Sequence, residues 1–541
     1  MNIVTSMDLK KSLVVLLTAS FVLALCCGCA RTPSSPLDLA SRALDKGDFA
    51  GAIGILDRIV KEDPSDSGAL IMRGRARQAS EEFDLATQDF NSAIQVSPNS
   101  WVAWEARGKF LAYLKDYDGA LRDLLKASTL HPQSSSLMSA VGLTYFSKED
   151  YQEALRFFDK SSSLDQNDES AYFGRAAIYI EEKKFDTAIQ EMDRLLKISP
   201  NNAQAIFRRG FSFLKSGQPT KSLADFNRAL ELDPDMKEIY WYRAEAHWAA
   251  SEFDQALQDY KKAESTNPND PILFLNQASI LMMMGRYSEA LTNLRRSIVL
   301  DPENPRPYVD RAILYLGTGN FLTALRDINK ALAIRGDDPW LLEKRAYIFK
   351  LMGRGDLALE DLNLAVQLAP DDHEAWLLRG SIYFSEKQLQ RALNDLKEAI
   401  QLIPDNPAPY QLMAEAFLKK GDTAEALDKV GQALEKESSF VPAYVTMGDI
   451  HIADSHADRA LEAYSQALSI DPNHFEARLR RAKLYMELND HQRAVTDLEQ
   501  AAKANAYSGE VYMLRSQCYE ILGDSEKARQ DSWKARVFAH R

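Results

Sequence analysis

Ten arginines in this chain are each followed, sixteen residues later, by a carboxylate: Arg73 with Asp89, Arg107 with Asp123, Arg175 with Glu191, Arg209 with Asp225 and Arg243 with Asp259. The remaining five are Arg311 with Asp327, Arg345 with Asp361, Arg379 with Asp395, Arg481 with Asp497 and Arg515 with Asp531. A guanidinium is a flat fork of donors that fits a carboxylate through two parallel hydrogen bonds. Arginine stays charged in proteins and does not exchange its proton, so the chemistry on offer is clamping, not catalysis. Where the arginine is missing from the equivalent place the acid is missing too: Leu39 with Ile55, Val141 with Phe157, Gln277 with Asn293, Met413 with Lys429 and Met447 with Ala463. Taking the acid from the preceding stretch breaks the match, so each pair is read as internal to one hairpin.

Other reactive residues form no constellation. The eight histidines are scattered, and the nearest pair, His451 and His456, has no cysteine or acid arranged around it for a metal. Ser212 and Lys215 match a Ser-x-x-Lys motif without its companion motifs, and Cys518 is read as an inert core thiol. With no phosphate-cradling glycine loop or nucleophile elbow, the sequence identifies no catalytic residue, metal ligand or cofactor. No small-molecule substrate is expected.

The clamps recur every 34 residues, and so does everything around them. Alanine or serine returns at that interval from Ala52 through Ala86 and Ser222 to Ala528, fifteen times without an insertion. Counting the first repeat from residue 33, the eighth position is small throughout, as at Gly74, Gly142, Ala244 and Gly448. Position 32 is proline in ten repeats, which stops a second helix, and position 4 is mostly aromatic, as at Trp104, Tyr172, Tyr308 and Trp376. These large residues are expected to act as knobs for the small sites. Small residues at 8, 20 and 27, a large one at 4 and proline at 32 resemble the tetratricopeptide repeat family over residues 33–541. The resemblance implies an all-α fold, an α-solenoid of about fifteen helix-turn-helix repeats in a right-handed superhelix, whose first helices line a concave face that holds peptides or partner helices. Repeats 4, 12 and 13 lack the clamp, so residues 407–474 are expected to be the soft stretch.

Residues 1–28 read as a signal peptide: Lys10 and Lys11 precede an apolar run from Leu13 to Leu25. The run ends in Leu25-Cys26-Cys27-Gly28-Cys29, which resembles the bacterial lipoprotein signal and implies lipidation of Cys29, with residues 29–36 as the lipidated N-terminus and short tether. Cys26 departs from the aliphatic residue usual there, and an uncleaved anchor or a simply cleaved secretory peptide stays open. Ala30 after the cysteine implies an outer-membrane lipoprotein facing the periplasm.

A net charge of −13 argues against nucleic acid as a partner, because affinity for a phosphate backbone comes from lysine and arginine. The family geometry turns positions 2, 5, 9 and 12 toward the concave side, where Phe173, Phe207, Phe211, Trp241, Trp248, Leu275 and Met282 form a strip with Glu245 inside it. Aromatic and methionine side chains are common recognition anchors. The lysine–asparagine constellation of the family's carboxylate clamp is not present, nor is the asparagine run of the glycosyltransferase-associated arrays. The expected function is a non-enzymatic, membrane-anchored scaffold binding peptide or protein partners, for envelope assembly or export. The alternative is a secreted or lumenal co-chaperone for unfolded clients.

Overall fold

A computed structural model describes residues 35–538, so the leader, Cys29, nearly all of the tether and the last three residues lie outside the described residues. Those described form thirty α-helices and no strand. They divide between Leu273 and Phe274 into two compact units, a boundary that falls within the helix Pro271–Met283. Both units are built from the same hairpin: a first helix such as Ser67–Ala79 or Glu169–Glu181, a tight turn, then a second helix such as Phe83–Val96 or Phe185–Ile198.

Local chemistry sets the ends of these helices. Asp48, Asp116, Asp150, Asp422 and Asp490 cap second helices by accepting a backbone N–H, and Asp66, Ser100, Asn202 and Ser508 do so for first helices. Each such cap is worth about 1 kcal/mol. The turn is fixed by position 15, whose φ is positive in every repeat, from 58° at Lys183 to 83° at Gly421. Seven of these residues are glycine and eight are not, among them Glu81, Lys115 and Asn489. Each non-glycine residue there accepts about 1–2 kcal/mol of steric cost to close the hairpin.

Packing inside the hairpin turns on position 8. A Cβ on Gly74, Gly108, Gly142, Gly210, Gly380 or Gly448 would meet Phe90, Leu124, Phe158, Phe226, Leu396 or Tyr464, always position 24 of the same repeat. The knobs are therefore these second-helix side chains and not the aromatics of position 4, which correct the expectation by serving another purpose. Trp104, Tyr172, Tyr308, Trp376, Tyr410, Tyr444 and Tyr512 each donate to the carbonyl of position 32 in the preceding repeat, at 2.9–3.2 Å. The bond needs only a backbone oxygen, so it persists where Gln166, Ser438 and Ala506 replace proline. Arg478, standing at position 4 in place of an aromatic, takes over the same carbonyl.

First helices of consecutive repeats touch one another, as Ser135–Ser147 does Glu169–Glu181 and as Pro407–Lys420 does Val441–Ala453. This row is the inner face of each unit, and the alanines of position 20, such as Ala86 and Ala392, are wholly buried behind it.

Two glycines separate packing from propensity. At Gly174 a Cβ would stand 2.2 Å from the ring of Phe158, whereas at Gly431, inside Thr423–Lys436, it would meet nothing within 4 Å. Gly174→Ala should lower stability by about 1–2 kcal/mol through overpacking. Gly431→Ala should raise it by about 0.5–1 kcal/mol through helix propensity, both read by urea unfolding.

Candidate partner-binding face

The spacing of the inner face is held by the arginines of position 7. In Arg243, Nε and Nη2 donate to the two carboxylate oxygens of Asp259 at 2.6 and 2.7 Å. Arg107, Arg209, Arg345, Arg379 and Arg481 repeat the double bond with Asp123, Asp225, Asp361, Asp395 and Asp497, and Arg73, Arg311 and Arg515 do so with Asp89, Asp327 and Asp531. Arg175 reaches Glu191 through Nε alone, at 2.7 Å. All ten carboxylates are buried. The bond from Asp225 raises Arg209 above the ordinary arginine range, and Asp259 does the same to Arg243.

The third arm of the fork crosses to the preceding repeat. Nη1 of Arg243 donates to Asn227 at 2.7 Å, and the same bond joins Arg73 to Asp57, Arg107 to Asn91, Arg175 to Asp159, Arg209 to Asp193, Arg345 to Asn329, Arg379 to Asn363 and Arg481 to Ser465. In six of the ten repeats the guanidinium also lies near the ring of position 4, as Arg379 does at 4.7 Å from Trp376 and Arg107 at 5.1 Å from Trp104. The arginine thus clamps its own hairpin and staples it to the one before. A sequence signal for the staple exists sixteen residues upstream: Leu125, Lys261, Lys397 and Gly431 stand there when the arginine gives way to Val141, Gln277, Met413 and Met447.

In and beside the unclamped stretch other polar groups meet, on the first helices and from the second helix Ala457–Ile470. The amide of Gln411 donates to Glu415 and to Thr446, both at 2.7 Å. Tyr464 donates to Asp449 at 2.7 Å, and Arg480 bonds Asp449 as well.

Within the first unit the strip named from sequence is only partly open. Phe207 is covered by Phe226 and Tyr242, and Phe211 lies edge-on to Tyr242 with ring centroids 5.2 Å apart. Both are buried, because position 6 of the next first helix closes over them, and neither presents its ring to a partner. Phe173, Trp241, Glu245 and Trp248 are half-buried. The Trp241 indole donates to Glu245 at 3.3 Å, and Lys215 reaches the same carboxylate at 3.0 Å. In the second unit Leu275 is buried and Met282 half-buried.

Burial shifts ionisable groups on the inner faces of both units, and in the second it pushes the Lys350 amine down. In the first, burial pushes Arg75, Lys109 and Arg208 below their ordinary values, with Glu105 lying 2.5 Å from Lys109. In the second, burial pushes the carboxyls of Asp310, Glu343 and Glu415 upward. Ser212 spends its hydroxyl on the Arg208 carbonyl, and the Cys518 thiol is buried and pushed up. His451 and His456 meet edge to face at 6.4 Å between centroids, and no metal-binding cluster occurs among the described residues.

A tetratricopeptide repeat family profile matches residues 37–100, 71–135, 207–271, 275–339 and 412–475, more than half of the chain. The chain belongs to the tetratricopeptide repeat family. Further profiles of the same repeat match 145–206, 451–518 and 380–421. Among solved structures the chain is similar to yeast Tom70, with 18% identity over 81% of this chain and 96% of that one and a TM-score of 0.40. It is also similar to a tetratricopeptide repeat protein from Parabacteroides merdae, with 18% identity over 52% and 98% and a TM-score of 0.37. A third is YrrB, described as a tetratricopeptide protein with an unusual peptide-binding site, with 22% identity over 34% and 95% and a TM-score of 0.30. Comparison with curated protein sequences gave no match.

The tetratricopeptide clamp is testable at Arg243, whose partner Asp259 is 4% exposed at the side chain. Arg243→Ala strands that carboxylate and should cost about 3–5 kcal/mol, whereas Arg243→Met with Asp259→Leu should recover most of the loss. Equal unfolding midpoints for the single and double variants would refute the pairing.

Proposed function

We propose that this tetratricopeptide protein is a non-enzymatic scaffold that holds peptide or protein partners along the first helices of its inner face. The observation that carries the reading is the half-open aromatic row of Phe173, Trp241 and Trp248 on the first unit, set beside the ion pair of Lys215 and Glu245. Large, rigid aromatic surfaces flanked by charge are what a bound peptide uses for anchoring and register. The leader and the Gly28-Cys29 junction support a lipid anchor at Cys29 and a place in a bacterial envelope, facing the periplasm from the outer membrane, where such a scaffold would serve assembly or export.

Crosslinking the full chain in membrane extracts should yield a few stoichiometric envelope proteins. Trp241→Ala with Trp248→Ala should weaken their recovery roughly 30-fold, as loss of two recognition anchors would. A heterogeneous set of misfolded chains, indifferent to that double variant, would refute the scaffold in favour of client holding. Mass spectrometry should find an acylated Cys29 at the mature N-terminus, and an unmodified N-terminus at another residue would remove the anchor.

A further inference from the structure

Arg208 is 2% exposed, and among the described residues its Nε and Nη1 are buried without a hydrogen-bond partner. The ring of Phe173, 5.5 Å away, offers it a face but no acceptor, and Tyr242, whose field also reaches it, brings a phenol hydroxyl and no carboxylate. A guanidinium taken out of water is normally retained only with a carboxylate or comparable acceptor beside it. The other desolvated cations of this inner face, Arg75 and Lys109, have Glu105 beside them.

The repeat contains its own control. Eight repeats further on, Arg480 occupies the same position and reaches back to Asp449 on the preceding first helix, while Glu476 accepts from its Nε at 2.9 Å. The places of those two acids are taken around Arg208 by Ala177 and Gln204. The first unit thus keeps the cation of this arrangement and lacks both of its acids. We propose that the absent acid is supplied by the partner: Arg208 is the receptor for a carboxylate, from an acidic side chain or a C-terminus, of an extended peptide lying across Glu169–Glu181 and Ala203–Lys215. Phe173 is half-buried with its ring 5.5 Å from the guanidinium, so a residue whose carboxylate reaches Arg208 comes in beside a face on which it can stack. A carboxylate is favoured over other anions because Asp449 shows the equivalent site accepting one.

This inference rests on the peptide-binding reading and specifies one contact within it. The test uses the full chain with labelled arginine, following the Arg208 Nε–H resonance, assigned by its loss in Arg208→Lys. Acetate, N-acetylphenylalanine, and acetyl-phenylalanyl-aspartate amide should each shift that resonance saturably, and N-acetylphenylalanine amide should not. N-acetylphenylalanine carries a terminal carboxylate and the aspartate amide a side-chain one, and whichever saturates at the lower concentration identifies the source. Ala177→Asp, which restores the internal acid, should shift the resonance without ligand and weaken the response to every carboxylate at least tenfold. Arg208→Met gives an independent check, since carboxylate should raise the thermal midpoint of the unaltered chain and leave that of the variant unmoved. An Arg208 signal that ignores all three carboxylates, or follows the amide equally, overturns the site. If envelope partners still depend on Trp241 and Trp248 in that case, the scaffold stands without it.

Discussion

In ten of the fifteen repeats one side chain, the arginine of position 7, is available to do two jobs with one rigid group. Two of its nitrogens hold a buried carboxylate on the second helix of the same hairpin, and in eight repeats the third nitrogen takes an acceptor on the hairpin before, as Arg209 does with Asp225 and Asp193. A guanidinium is planar, so fixing one edge fixes the other, and the angle within a hairpin becomes tied to its seating on its neighbour. The pairs contribute little net stability over apolar ones, but an orphaned member is costly, which makes the geometry hard to leave once formed. The aromatic of position 4 reinforces it from the other side, bonding the preceding repeat's last turn while its ring lies near the guanidinium, as with Trp376 and Arg379.

This lattice determines what each inner face can present. Because first helices meet closely, a position-5 ring such as Phe207 disappears under position 6 of the next helix, here Tyr242, and what remains half-open is decided repeat by repeat. The first unit leaves Phe173, Trp241 and Trp248 half-open and buries Arg208 beside Phe173, whereas the second desolvates the carboxyls of Asp310, Glu343 and Glu415. Two faces built on one repeat thus bury different ionisable groups, and the second holds a desolvated amine, Lys350, as well as its carboxyls.

Most of the architecture was legible in the sequence because it is written fifteen times. A helix stop, a small residue or a missing acid stands beside its own counterparts, and the covariation of positions 7 and 23 marks both ends of a contact in residue types alone. Legibility failed where a contact left the repeat. The staple from Arg243 to Asn227 crosses a boundary, and the aromatics of position 4 bond a carbonyl, which has no residue type to read. Burial of Phe207 and Phe211 depends on how far the next helix leans, a quantity absent from any residue pattern. The lone charge of Arg208 became visible only when its acceptors could be searched for in space.

The central claim, that the position-7 arginine couples neighbouring hairpins, is tested most directly by hydrogen exchange on a chain carrying Arg345→Met with Asp361→Leu. This exchange of the ion pair for an apolar one keeps the clamp within the hairpin and removes the bond to Asn329. Amides of the preceding second helix, Phe321–Arg335, should then exchange measurably faster while those of Pro339–Leu351 and Gly355–Leu368 keep their protection. Unchanged exchange across Phe321–Arg335 would contradict the account.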